Sequence, residues 1–229
     1  MIKAGLDIGN SKISCVVADY KNPESINILS ILSIPTSNIK KNIVLNYENL
    51  FEQIKSLIFE TEKQSQTKLN SINLNISLLN SRSHYYDSEI KINNEKLSDL
   101  HLKKIINQSE YFNVNKDEFE IFNSIISYIV DKNQFFFAPL GNYTDNIKVN
   151  FYKILLQRKN VENFKSIINN LKLNIENYIP TPLSSSISSL TKDEKELGTI
   201  CIDLGHSTSS ISIFENNKFV YADSIAIGS

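Results

Sequence analysis

At 229 residues the chain is long enough to bury a sizeable core without disulfides or metals. Hydrophobic residues make up 41% and charged residues 21%, which excludes disordered and fibrous classes. With 24 basic against 25 acidic groups the formal charge is -1, and that excludes a surface built to hold nucleic-acid phosphates.

The elements follow in chain order. Met1–Asp7 places an acid where a secretory leader needs an apolar stretch, and no apolar run approaches the roughly 20 residues that span a bilayer. A cytoplasmic location is expected. Strands are predicted near Ile2–Ile8, Ile13–Asp19 and Ile26–Ile34. Leu50, Ile54, Leu57 and Ile58 recur at helical spacing within Asn49–Glu62. Ile72–Leu78 alternates apolar and polar and reads as a half-buried strand. The pattern then changes to a strand over Tyr85–Ile92, a helix over Ser98–Tyr111, and strands over Phe119–Val130 and Ile147–Leu156. Val161, Phe164, Ile167, Ile168 and Leu171 mark another amphipathic helix, and Pro180 and Pro182 punctuate the approach to a Ser-rich run, Ser184–Ser189.

Several features read as structure alone. Cys15 and Cys201 lie in β-branched segments and are expected to be reduced, buried strand thiols. His84 and His101 have no ligand partners at metal spacing and are expected at the surface. Phe135-Phe136-Phe137 is expected in a core or edge strand, with a protomer contact as the functional alternative. The excess of Asn and Ile, roughly 30 each, reads as base composition.

Only six glycines occur, and two of them sit in matching phrases. Leu6-Asp7-Ile8-Gly9-Asn10-Ser11-Lys12-Ile13 and Ile202-Asp203-Leu204-Gly205-His206-Ser207-Thr208-Ser209 each run strand, acid, Gly two residues later, then a second strand. Each reads as a β-hairpin. Gly at such a turn allows positive φ and close approach of a ligand, so successive N–H groups can cradle phosphate oxygens. Ser11, Lys12 and Thr208 add donors, and Asp7 suits the waters of a Mg²⁺ bridging phosphates. A single copy fits an ordinary hairpin turn equally well; the duplication favours phosphate binding.

Duplicated hairpins of this kind resemble the actin, Hsp70 and sugar-kinase ATPase superfamily, and within it the chain resembles FtsA, the bacterial actin homologue of cell division. The stretches that carry the match are Ala4–Lys12, Ile39-Lys40-Lys41-Asn42, Tyr128-Ile129-Val130-Asp131 with Pro139-Leu140-Gly141, and Leu190–Gly198 leading into Cys201–Gly205. The resemblance implies an α/β actin-like ATPase fold with a ribonuclease H-like lobe, an inserted α+β subdomain and only the start of the second lobe. Its parts would be 1–80, first lobe; 81–158, inserted subdomain; 159–196, return to the first lobe with Ser184–Ser189 in a crossing helix; and 197–229, beginning of the second lobe. It implies ATP with Mg²⁺ held by Asp7, Gly9, Asn10, Ser11 and Lys12 and by Asp203, Gly205, His206, Ser207 and Thr208, with Asp7 and Asp203 reaching the metal through water.

It also implies partners, FtsZ and other division proteins, and self-association through 81–158. The departures point to weak or lost ATP binding and to no enzyme activity. Gly205-His206-Ser207-Thr208 stands where the family has three glycines and Thr, and if that turn needs positive φ, His206 and Ser207 each meet a cost on the order of 1 kcal/mol. Ser210 stands where the family has an acid. The family's adenosine segment and membrane hook lie beyond the final residues here, so FtsZ binding is expected to be weakened and membrane contact to come through partners. The alternatives are a superfamily ATPase or kinase lobe completed by another chain, and a pilus-assembly scaffold related to FtsA.

Overall fold

The computed structural model describes residues 1–22, 25–109 and 114–228. Its strands are β1 (Ile2–Ile8), β2 (Lys12–Asn22), β3 (Ser25–Pro35), β4 (Ile39–Lys40), β5 (Ile43–Val44), β6 (Ser71–Ile76), β7 (Arg82–Lys96), β8 (Glu118–Val130), β9 (Asn133–Phe135), β10 (Tyr143–Gln157), β11 (Asn174–Pro180), β12 (Thr199–Leu204), β13 (Ser209–Glu215) and β14 (Lys218–Ile225). The helices are α1 (Tyr47–Ser65), α2 (Asp99–Ser109), α3 (Arg158–Asn170), α4 (Thr181–Ser189) and α5 (Lys192–Leu197).

The first sheet has the order β11-β6-β1-β2-β3. The β1–β2 and β2–β3 pairs are antiparallel hairpins, and β6 joins β1 and β11 in parallel. Period-two alternation sends Leu6, Ile13, Cys15, Val17, Ile72 and Leu74 to one buried face. There they join Leu50, Ile54 and Leu57 of α1 and Val161, Phe164 and Ile167 of α3 in one core. Helix α1 begins before the apolar repeat because Asn46 caps it, its side chain accepting the Asn49 N–H at 3.0 Å. The other face, with Gly5, Asp7, Ser14, Val16, Asn73 and Asn75, opens onto a cavity of about 430 Å³ beside α4.

A second sheet, β7-β10-β8-β9, carries α2 and its own apolar cluster around Ile92, Ile105, Ile147 and Phe151. The predicted helix over 98–111 is described as Asp99–Ser109; residues 110 and 111 lie outside the described residues. The Phe135-Phe136-Phe137 run divides. Phe135 ends β9 and packs on this cluster, whereas Phe137 is 73% exposed with the Lys218 ammonium 5.5 Å from its ring centre.

The third sheet is the antiparallel meander β12-β13-β14. Phe214, Phe219 and Ala222 bury one face of it in the main core, where Phe219 meets Phe122 edge to face at 5.1 Å. The outer edge of β14 is closed by hydroxyls, not by another strand. The Tyr85 hydroxyl donates to the Val220 carbonyl at 2.6 Å, and the Tyr152 hydroxyl accepts the Ala222 N–H at 2.7 Å. This satisfies backbone groups that an edge strand otherwise leaves open. On the opposite face Ile200, Ile202 and Leu204 are 60%, 64% and 70% exposed.

Two expectations need correction. Cys201 is only half-buried, because β12 is an edge strand, whereas Cys15 is fully covered. His84 is half-buried with its Nε2 enclosed and, among the described residues, unpaired, and His101 turns back to the start of α2, its Nδ1 3.3 Å from the Ser98 amide. Some of the asparagines sit where the backbone takes the left-handed conformation. Positive φ falls at Lys41-Asn42, Asp131-Lys132 and Asn216-Asn217, consecutive pairs that close the β4–β5, β8–β9 and β13–β14 hairpins, and at Asn93-Asn94 inside β7, where its register with β10 shifts.

Candidate functional site

The two hairpins are alike in register. Asp7 pairs with Ser14 and Asp203 with Ser210, each acid lying two residues before its glycine. In both turns the glycine N–H donates to the carbonyl three residues on, Gly9 to Lys12 and Gly205 to Thr208, at 3.0 Å. A Cβ on Gly9 would lie 2.9 Å from the Lys12 carbonyl oxygen, and one on Gly205 would lie 2.8 Å from that of Thr208. Close approach, then, is what demands glycine here. None of Gly9, Gly205, His206 or Ser207 has positive φ. The steric cost expected for His206 and Ser207 does not arise, because the chain turns through ordinary backbone conformations.

The hairpins meet at one cleft of about 230 Å³. Asp7, Gly9, Asn10, Ser11 and Lys12 line it from one side, and Asp203, Gly205, His206 and Thr208 from the other. Ser207 is not among the lining residues. Its hydroxyl is buried and has no hydrogen-bond partner among the described residues, and the His206–Ser207 peptide is covered by Gly228, where any Cβ would collide with it. Ile8, Asn42, Ser77, Thr181, Ser210 and Ser224 complete the lining. Sequence spacing gave no signal for Ser77, Thr181 and Ser224, because they arrive from separate elements, while the Asn42 N–H reaches Asn10 Oδ1 at 3.3 Å.

Both carboxylates are held from below. Asn75 Nδ2 donates to Asp7 Oδ1 at 2.8 Å, and the Ser185 hydroxyl donates to Asp203 Oδ2 at 2.5 Å. Burial pushes the Asp7 carboxyl above its usual range; the Asn75 hydrogen bond and the Lys12 charge oppose this, and the nearby Asp203 charge adds to it. One oxygen of each acid remains for a ligand. A pair of carboxylates facing across a polar cleft, each with an oxygen to spare, fits a hydrated Mg²⁺ that bridges phosphates. The backbone turns and Lys12 fit the phosphates themselves.

Two equivalent hairpins closing on a cleft, with a helix crossing between their sheets, define the actin-like ATPase fold. Solved structures share it. The PilM-PilN type IV pilus biogenesis complex matches with a TM-score of 0.65 at 14% identity, over 99% of this chain and 62% of that one. The ethanolamine utilization protein EutJ from Carboxydothermus hydrogenoformans matches with a TM-score of 0.55 at 13% identity, over 100% and 53%. By sequence the chain is FtsA-like. It is 22% identical over 233 residues to cell division protein FtsA of Rhizobium meliloti (strain 1021), covering 97% of this chain and 53% of that protein. To FtsA of Neisseria meningitidis serogroup B it is 24% identical over 224 residues, covering 97% and 54%. The chain thus spans about half the length of the curated relatives it matches. No protein-family profile matches it.

Proposed function

We propose that this chain is an FtsA-like cell-division module, an actin-fold scaffold that serves septum assembly through protein contacts and holds the phosphate tail of ATP with Mg²⁺ weakly. The observation that supports the nucleotide part is the meeting of two hairpins of equal register at one cleft. Lys12 and the turn amides would take the phosphates, and Asp7 and Asp203 the cation's waters. A cleft of about 230 Å³ suits a phosphate tail and is smaller than the usual site for a whole small-molecule ligand. Ser210, opposite Asp203, brings no further carboxylate, so the site is read as binding and not turning over nucleotide. Calorimetric titration with ATP and MgCl₂ tests this: affinity weaker than micromolar is expected, and micromolar or tighter binding overturns it. FtsZ is expected to bind this chain weakly or not at all, which a robust pull-down would contradict.

Among the described residues no helix is long and apolar enough to cross a membrane. A second reading, an ATPase or kinase lobe completed by another polypeptide, is favoured by the apolar face of β12 at Ile200, Ile202 and Leu204. It requires turnover that appears only on mixing with that partner and is lost in Asp7→Ala.

A further inference from the structure

Three consecutive serines of α4 reach three different strands. The Ser184 hydroxyl lies 2.9 Å from Asn75 Oδ1 on β6, and Asn75 in turn holds Asp7 on β1. Ser185 donates to Asp203 on β12. Ser186 meets Ser212 on β13 in a buried contact. A helix turns about 100° per residue, so neighbouring side chains diverge. That divergence is what lets one short helix grip elements of two separate sheets.

The grip has an electrostatic reason. Asp7 and Asp203 carry like charge across the cleft, and without a cation between them they repel. Something must hold the hairpins at a fixed separation. The third sheet as a whole is held by Phe214, Phe219 and Ala222 in the main core and by the Tyr85 and Tyr152 hydroxyls on β14, but β1 and β12 share no ladder, and the hydrogen bonds that link their two acids to one element run through α4. The two arms are unequal. Ser184 has one hydroxyl proton and two acceptors, Asn75 Oδ1 and the Thr181 carbonyl, both at 2.9 Å. Ser185 gives its proton to a carboxylate, the stronger kind of hydrogen bond.

We propose that α4 is a strap in which Ser184 and Ser185 are positioning residues, tying the acids of the two facing hairpins to one helix so that filling the cleft is felt along α4. The proposal rests on the reading of the cleft as a phosphate and cation site. Asp7 and Asp203 would hold the cation's waters, which would offset their mutual repulsion, and Ser185 would carry that change from Asp203 on β12 to α4.

Cys201 reports on this directly. It pairs with Ser212 across the β12–β13 ladder and so points to the α4 side of the sheet, two residues from Asp203. Cys15, fully buried, is the internal control. The test is the rate of modification of each thiol by Ellman's reagent in the full chain, with and without ATP and MgCl₂. Ser185→Ala is expected to raise the Cys201 rate about tenfold, the factor for losing one hydrogen bond to a charged acceptor, with Cys15 unchanged. Ser184→Ala should raise it less, and Ser185→Thr should restore it. Nucleotide should slow Cys201 in the native chain and fail to do so in Ser185→Ala. Equal Cys201 rates in the native and Ser185→Ala proteins overturn the strap, as does a parallel rise at Cys15 or equal slowing by nucleotide in both proteins. A raised rate in Ser185→Ala together with no nucleotide effect in the native chain upholds the strap and overturns the phosphate reading instead.

Discussion

Gly9 and Gly205 stand at the same point of two hairpins almost two hundred residues apart in the chain, each giving its N–H to the carbonyl three residues on at 3.0 Å. Because a Cβ at either place meets that carbonyl at 2.9 or 2.8 Å, Gly9→Ala and Gly205→Ala must open the turn. Each is expected to cost about 1–3 kcal/mol, read as a lower urea midpoint at unchanged slope. Loss of Mg²⁺-ATP binding should accompany both, since the turn amides move with the carbonyl.

Asp7 carries the opposite kind of cost. Its folded carboxyl sits above the ordinary value of 3.8, so between that value and the folded one the native chain binds more protons than the unfolded chain. Stability therefore falls as pH rises through that window. Asp7→Asn keeps an acceptor for Asn75 and removes the charge. A higher thermal midpoint at pH 7, with the gain vanishing towards about pH 3 where the native acid is neutral, is the expected result. Magnesium-dependent nucleotide binding should be lost in the same variant.

Tyr152 holds the third sheet to the second. Its hydroxyl accepts the Ala222 N–H at 2.7 Å and lies 3.0 Å from Ser83 Oγ. Burial pushes that phenol up to about 12, so it stays protonated through the physiological range. Tyr152→Phe leaves a buried amide unpaired and is expected to cost about 1–3 kcal/mol. In native-state hydrogen exchange the loss of protection should concentrate at Ala222 and its neighbours on β14.

Lys153 and Glu120 form an unequal pair. The Lys153 side chain is 1% exposed, its ammonium 2.6 Å from Glu120 and 5.1 Å from the Tyr86 ring centre, while Glu120 reaches solvent. Glu120→Ala takes a carboxylate from a buried cation and is expected to cost about 1–3 kcal/mol, whereas Lys153→Met leaves an acid that water can solvate and should cost under about 1 kcal/mol. Chemical denaturation of the two variants checks the order. Equal losses would show that Glu120 contributes no more than its neighbours do.

Local pattern alone determined a good deal of this protein. The repeated acid–x–Gly phrase marked both hairpins, and the spacing of Leu50, Ile54, Leu57 and Ile58 marked α1, because apolar period and turn chemistry act over a few residues. The same reasoning brought Asp7, Gly9, Asn10, Ser11, Lys12, Asp203, Gly205, His206 and Thr208 forward as candidates, and all nine line one cleft. Tertiary structure decided the rest. Ser207 turned away beneath Gly228, the glycines answered a close carbonyl and not a positive φ, and Asn75 and Ser185 emerged as the groups holding the two acids. Those relationships depend on distances between segments far apart in the chain. Such distances are set by how sheets pack and how α4 crosses between them, and no local pattern of residues encodes them.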